Sequence, residues 1–161
     1  MENEEVKNIE INSYLTFKLG KEVFAAHVGK VLNNLELVKI TEVPQSPDYM
    51  KGVINLRGTV LPVIDTRIKF GLSPTEFTKN TCIIVLNVNI EGDEVDVGAL
   101  VDSVQEVLEV DNNQILPPPS IGTKYKSEFI NGMIKMDDHF IMLLNMDKVF
   151  STTDIIDLQE A

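Results

Sequence analysis

The chain has 161 residues, 43% of them apolar and 24% charged, enough to bury a core of its own without disulfide or metal staples. Its 25 acidic against 14 basic residues give a formal charge of −11, which repels phosphate backbones and anionic lipid and argues against nucleic acid or a membrane surface as the main partner. A single cysteine, Cys82, excludes an internal disulfide framework and a thiolate-rich metal site. The polar, acidic start is no secretory signal, and no apolar run approaches a membrane span, so a soluble cytoplasmic protein is expected.

In chain order, Tyr14 to Leu19 alternates apolar Leu15, Phe17 and Leu19 with polar neighbours, the period of a half-buried strand. Gly20-Lys21 reads as a hairpin turn with Glu22 to Ala26 returning. Leu37 to Val43 is a third candidate strand, stopped by Pro44 and Pro47. Gly52 to Leu56 and Thr59 to Asp65 flank Arg57-Gly58, a tight hairpin, and Asp65 to Phe70 fits one or two helical turns closed by Gly71. Asn80 to Ile90 is the strongest strand, with Cys82, Ile84, Leu86, Val88 and Ile90 on one face. A turn at Gly92-Asp93 leads to the alternating Val95, Val97, Ala99 and Val101. Val104 to Val110, Lys124 to Lys135 and His139 to Leu144 follow, the last two joined at Asp137-Asp138. A turn of helix over Asp147 to Phe150 precedes a frayed helix over Thr153 to Glu160, with Thr153 as its N-cap. About eight to ten short strands make a mainly β protein, as one sandwich or two small barrels, and no repeat of fixed period is visible.

The residues offer no catalytic constellation. His27 and His139 lack the spaced partners of a metal motif, and Cys82 falls in phase with Ile84 and Leu86 as a small core hydrophobe. The acidic residues Glu91, Asp93, Glu94 and Asp96 lack calcium-loop spacing and fit a hairpin tip, and there is no glycine-rich phosphate loop. Asp65 reads as an N-cap or an ion-pair partner of Arg67. No metal, cofactor or enzymatic activity is expected. Arg57 stands out: a long cation at a turn between apolar strands must project outward, as a solvated turn residue or as an interface anchor. Charge is also uneven, for no Lys or Arg occurs between Lys79 and Lys124.

The run Gly52-Val53-Ile54-Asn55-Leu56-Arg57-Gly58, then Val60-Leu61-Pro62-Val63-Ile64-Asp65, Arg67 and Phe70, resembles the signature of the bacterial chemotaxis coupling proteins, the CheW family. The resemblance extends over Tyr14 to Val31, Ile40 to Pro44, Gly98 to Leu108, Ile115 to Pro119 and Gly132 to Leu144. It implies two intertwined SH3-like five-stranded β-barrels within one domain over residues 12–150, with residues 1–11 and 151–161 as weakly ordered termini. It also implies a non-enzymatic adaptor, monomeric alone, that couples the cytoplasmic tips of chemoreceptors to the regulatory domain of a chemotaxis histidine kinase at membrane-associated arrays. Carried over by position, Arg57, Asn55, Leu56, Gly58, Val31 and Asn33 fall on the receptor-facing surface. Ile121 and Pro119, at the end of a stiff proline run, fall on the kinase contact. Where relatives place a Glu able to pair with the signature Arg, this chain has Asn33, which keeps an acceptor but no charge. Two other readings compete: a coupling-type module of a larger chain (a kinase regulatory domain or a coupling–receiver fusion), and a small ligand-binding or catalytic β-barrel. The Met1 start and the polar tail after Leu158 favour the free adaptor.

Overall fold

The structure, a computed structural model, describes residues 10–118 and 127–150. Ten strands run in chain order: β1 (Ile11–Leu19), β2 (Glu22–His27), β3 (Val31–Glu36), β4 (Met50–Leu56), β5 (Thr59–Asp65), β6 (Cys82–Ile90), β7 (Asp93–Val101), β8 (Ser103–Asp111), β9 (Ile130–Lys135) and β10 (Phe140–Leu144). Two four-residue helices, α1 (Thr66–Lys69) and α2 (Met146–Val149), follow β5 and β10. The strands form two curled five-stranded sheets, in the orders β8-β1-β2-β10-β9 and β3-β6-β7-β5-β4. A mainly β fold of two barrel-like sheets is therefore what the chain adopts.

The two orders are one pattern used twice. In each half of the chain two strands make a hairpin, and the third leaves to pair with the other half's first strand: β3 with β6, and β8 with β1. The last two strands make a second hairpin, which docks by a parallel contact: β5 on β7, and β10 on β2. Each half thus lends its third strand to the sheet that holds the other half's first hairpin. The sequence carries a faint trace of this, because Gly52, Ile54 and Phe70 align without a gap on Gly132, Ile134 and Phe150.

Period-two alternation places three cores. The largest lies between the sheets, where β1 and β2 give Phe17, Leu19 and Phe24, β6 gives Ile84, Leu86 and Val88, and Phe70 and Phe150 close from the two helix ends. Inside the second sheet sit Ile54, Leu61, Val63, Ile83, Val85 and Leu100; inside the first sit Ala25, Val110, Ile134, Ile141 and Leu143. The helices start on Asx side chains that accept from backbone N–H groups, Asp65 from Arg67 and Asn145 from Lys148. Gly52 (φ 153°) lets β4 pass the Thr41 backbone, with which Val53 exchanges two hydrogen bonds; a Cβ there would lie 2.3 Å from the Thr41 carbonyl oxygen. Gly132 does the same on β9, where a Cβ would lie 2.9 Å from the Leu116 carbonyl oxygen and Met133 exchanges two bonds with Leu116.

An ion pair straps each hairpin to the other half. Arg67 on α1 donates to Asp102 at 2.7 Å, and the same carboxylate oxygen accepts from Gly20 N in the β1–β2 turn. Asp147 on α2 accepts from Lys30 Nζ at 3.0 Å and from Asn89 N near the β6–β7 turn. Helix residue and crossover residue have exchanged charge between the halves.

Three sequence expectations need correction. The third strand is Val31–Glu36, not Leu37 to Val43, of which only Thr41 makes a bridge, to Val53. The β6–β7 turn is Glu91-Gly92, because Ile90 pairs with Asp93. In the described part of the Lys124 to Lys135 run, a 3₁₀ turn over Ser127–Phe129 comes before the strand at Ile130. Cys82 packs against the central core from the sheet margin, in phase with Ile84 and Leu86 as expected, half-buried and with its thiol donating to Asn80 O at 3.2 Å. The expected helix over Thr153 to Glu160 lies outside the described residues.

Candidate protein-interaction site

Leu56 pairs with Thr59, so Arg57-Gly58 is a two-residue hairpin turn. Both residues have positive φ, 55° and 85°, as the turn that matches strand twist requires. Asn55 locks it by accepting Gly58 N on Oδ1 at 2.8 Å. Glu91-Gly92 repeats the device, with φ of 53° and 90° and Asn89 Oδ1 accepting from Gly92 N at 3.1 Å. A left-handed conformation costs an L-residue roughly 1–2 kcal/mol that Gly avoids. Arg57 is exposed at this cost, and its guanidinium makes no hydrogen bond or ion pair among the described residues.

Beside the turn lies a cleft of about 240 Å³ lined by Leu32, Asn33, Leu56, Arg57, Thr59, Leu61, Val85 and Asp96. A second, shallower depression continues from Leu56 past Leu35, Val38, Ile54 and Asn55. Along this trough Leu32 and Val38 are 56% and 45% exposed, although both are branched apolar side chains. A bulge in β3 between Val31 and Asn33 produces the arrangement: Val31 packs into the central core, Leu35 packs into the second sheet's own core, and Leu32 is left outside. A half-apolar trough with one unpaired guanidinium at its rim suits a protein surface, and its one carboxylate, Asp96, hydrogen-bonds Asn87 rather than the Thr59 hydroxyl. No group of three or more His, Cys, Asp or Glu able to hold a metal ion occurs among the described residues.

A family model for the CheW-like domain matches residues 13–154. The chain belongs to the CheW-like domain family. It is 33% identical over 142 residues to the chemotaxis protein CheW of Klebsiella aerogenes, covering 88% of this chain and 83% of that one. With the probable chemotaxis protein CheW of Rhizobium etli it shares 35% identity over 140 residues, 87% of this chain and 88% of the other. The crystal structure of the scaffolding protein TtCheW from Thermoanaerobacter tengcongensis superposes with a TM-score of 0.76 at 33% identity, covering 88% of each chain. The protein is a chemotaxis adaptor of the non-enzymatic, scaffolding kind. None of its described helices is long and apolar enough to cross a membrane.

Within this CheW-like frame the residues singled out by sequence separate. Asn33, Leu56 and Arg57 meet around one cleft, and Asn55 and Gly58 shape the turn that presents Arg57. Val31 faces the central core instead. Asn33 Oδ1 accepts from Asn34 N at 2.8 Å and makes no hydrogen bond to Arg57. Pro119 and Ile121 lie outside the described residues. Leu32 and Asp96 join the site although sequence reasoning passed over them. Leu32 was legible as an apolar residue out of phase with the buried face, but Asp96 arrives from a strand brought alongside by parallel pairing.

The other candidates take structural parts. Buried Asp65 caps α1 and accepts from Thr75 N and Oγ1; Arg67 pairs with Asp102, not with Asp65. His27 accepts from Gly29 N on Nδ1 and meets Asn12 Oδ1 with Nε2, an arrangement of the neutral Nε2–H tautomer. His139 lies 2.8 Å from Asp138 at the β9–β10 tip, and its hydrogen bond, then its charge, holds that exposed carboxyl below the usual carboxylate value. Burial pushes the Tyr14 hydroxyl above its ordinary value. A further cleft, about 470 Å³, is polar and is crossed by the mutually paired Arg67 and Asp102.

Proposed function

We propose that the trough at the β4–β5 turn receives the cytoplasmic tip of a chemoreceptor, and that the protein links this tip to the regulatory domain of a chemotaxis histidine kinase. One observation carries the reading: an arginine is kept in a left-handed turn where glycine would be unstrained, exposed and without an internal partner, beside a row of exposed apolar side chains. A helical hairpin would lay its apolar face over Leu32, Leu56 and Val38 and set a carboxylate against Arg57. On a chain of charge −11, that guanidinium marks the register for an acidic partner. The kinase contact falls to Pro119 and Ile121, beyond the strand that ends at Asp111. The protein acts as a cytoplasmic monomer, held at the membrane only through the receptor.

Pull-down by a receptor cytoplasmic fragment and by the kinase tests both arms. Arg57→Glu is expected to weaken receptor capture at least tenfold, the scale of an interface anchor, and to leave kinase capture whole. Ile121→Asp is expected to do the reverse, because an unpaired carboxylate is costly in an apolar contact. Full receptor capture by the Arg57 variant would overturn the assignment of the trough.

A further inference from the structure

Asp96 lies on β7 in phase with Gly98 and Leu100, on the face that closes over the second sheet's own core. Two residues along the register that pairs Val63 with Gly98, it comes opposite Leu61. Leu61 aligns with Ile141 in the other half, and the residue opposite Ile141 is Val23, which packs against its own core. A carboxylate thus stands at an inward-rim position that the other sheet fills with an apolar side chain. It accepts one hydrogen bond, from Asn87 Nδ2 at 2.8 Å, which leaves most of its acceptor capacity open. Among the residues lining the Arg57 cleft, Asp96 is the one carboxylate and Arg57 the one cation. Asn33, in the same cleft, bears no charge.

We propose that Asp96 is the positioning residue of Arg57: its carboxylate draws the guanidinium across the cleft mouth and fixes the direction in which the site presents its positive charge. The turn fixes only the Arg57 backbone. The side chain beyond it is long and rotamer-rich, so a counter-charge on a rigid central strand cuts the ordering cost of docking. The functional half of this inference rests on the trough being the receptor surface; the pairing itself does not.

Two measurements on the full chain keep these apart. Nitrogen-15 NMR of the Arg57 Nε–H group reads the pairing directly. Asp96→Asn is expected to shift that signal and speed its exchange with water while leaving the β7 backbone amides in place, and Asp96→Glu to restore it. Titration with a receptor cytoplasmic fragment reads the consequence. Asp96→Asn is expected to weaken binding about two- to fivefold, the scale of an exposed ion pair, and to have no effect when Arg57 is already alanine. An Arg57 signal indifferent to Asp96→Asn would overturn the pairing. Equal losses with and without Arg57 would overturn the positioning role and make Asp96 a direct contact. If Arg57→Glu itself leaves receptor binding whole, the docking surface is wrong, and the NMR result still decides the pair.

Discussion

The β4–β5 and β9–β10 hairpins are the same object built twice. Each has a glycine passing a neighbouring backbone, a two-bond bridge beside it, a parallel contact with the other half, an Asx-capped helical turn and a closing phenylalanine in the central core. They part company at the tips. One ends in a tight left-handed turn with a free arginine; the other ends in Asp137-Asp138-His139, a wider loop in which Met136 N donates to His139 O and the His139 ring meets the Asp138 carboxyl. What the hairpins share belongs to the fold, and what separates them is the tip at which the proposed partner docks.

The shared part should break hardest. Gly52→Ala puts a methyl 2.3 Å from a backbone oxygen at φ 153°, and Gly132→Ala puts one 2.5 Å from Ile115 Cγ2. Steric overpacking costs about 1–3 kcal/mol, and backbone strain adds a similar amount at Gly52 alone. Urea unfolding should therefore rank the Gly52 variant below the Gly132 variant and both below wild type; equal stabilities would show that the bridges yield freely.

A smaller effect should sharpen the contrast. Arg57→Gly relieves a left-handed cost of roughly 1–2 kcal/mol and gives back about 0.5–1 kcal/mol in chain entropy. It should therefore stabilise the fold by about 0.5–1 kcal/mol while weakening receptor capture about tenfold. Glu91→Gly, in the matching turn of β6–β7, should stabilise comparably and leave capture untouched. Destabilisation by both would mean the turns are unstrained. The least effect lies at the other tip. Asp138 titrates low because of His139, so the bond contributes above the ordinary carboxylate range and is lost as pH falls through the depressed value. Carbon-13 NMR should show the Asp138 carboxyl titrating closer to the ordinary value in His139→Ala; an unmoved titration would assign the depression elsewhere.

Tyr14 to Leu19 was legible in the sequence because one face meets a core and the other meets polar neighbours, and Cys82 to Ile90 because a core lies on each of its faces and makes it a continuous apolar run of strand length. β3 was not, since its bulge changes which face is buried within six residues, and Leu37 to Val43 looked more apolar while lacking a ladder partner. The internal repeat stayed hidden because Gly, Ile and Phe alone are identical across 51–70 and 131–150, and backbone pairing tolerates the other exchanges. Arg57 was legible as a cation that apolar strands could not bury. Its proposed partner was not, because a parallel contact between β5 and β7 brings Asp96 alongside from a distant stretch of chain.

The strand exchange gives synthesis on the ribosome an order. The second sheet uses β3 to β7 and can close once residue 101 has emerged, whereas the first sheet needs β10, which ends at Leu144. The β1–β2 hairpin is made early and must wait for it. At roughly 5–20 residues per second, its apolar face, with Phe17, Leu19 and Phe24, stays without its β10 neighbour for several seconds. During that interval a neighbouring nascent chain could donate the missing strand and leave two molecules entangled. Stalled nascent chains should therefore protect the second sheet from protease first, and the N-terminal hairpin should become resistant only when the last strand clears the exit tunnel.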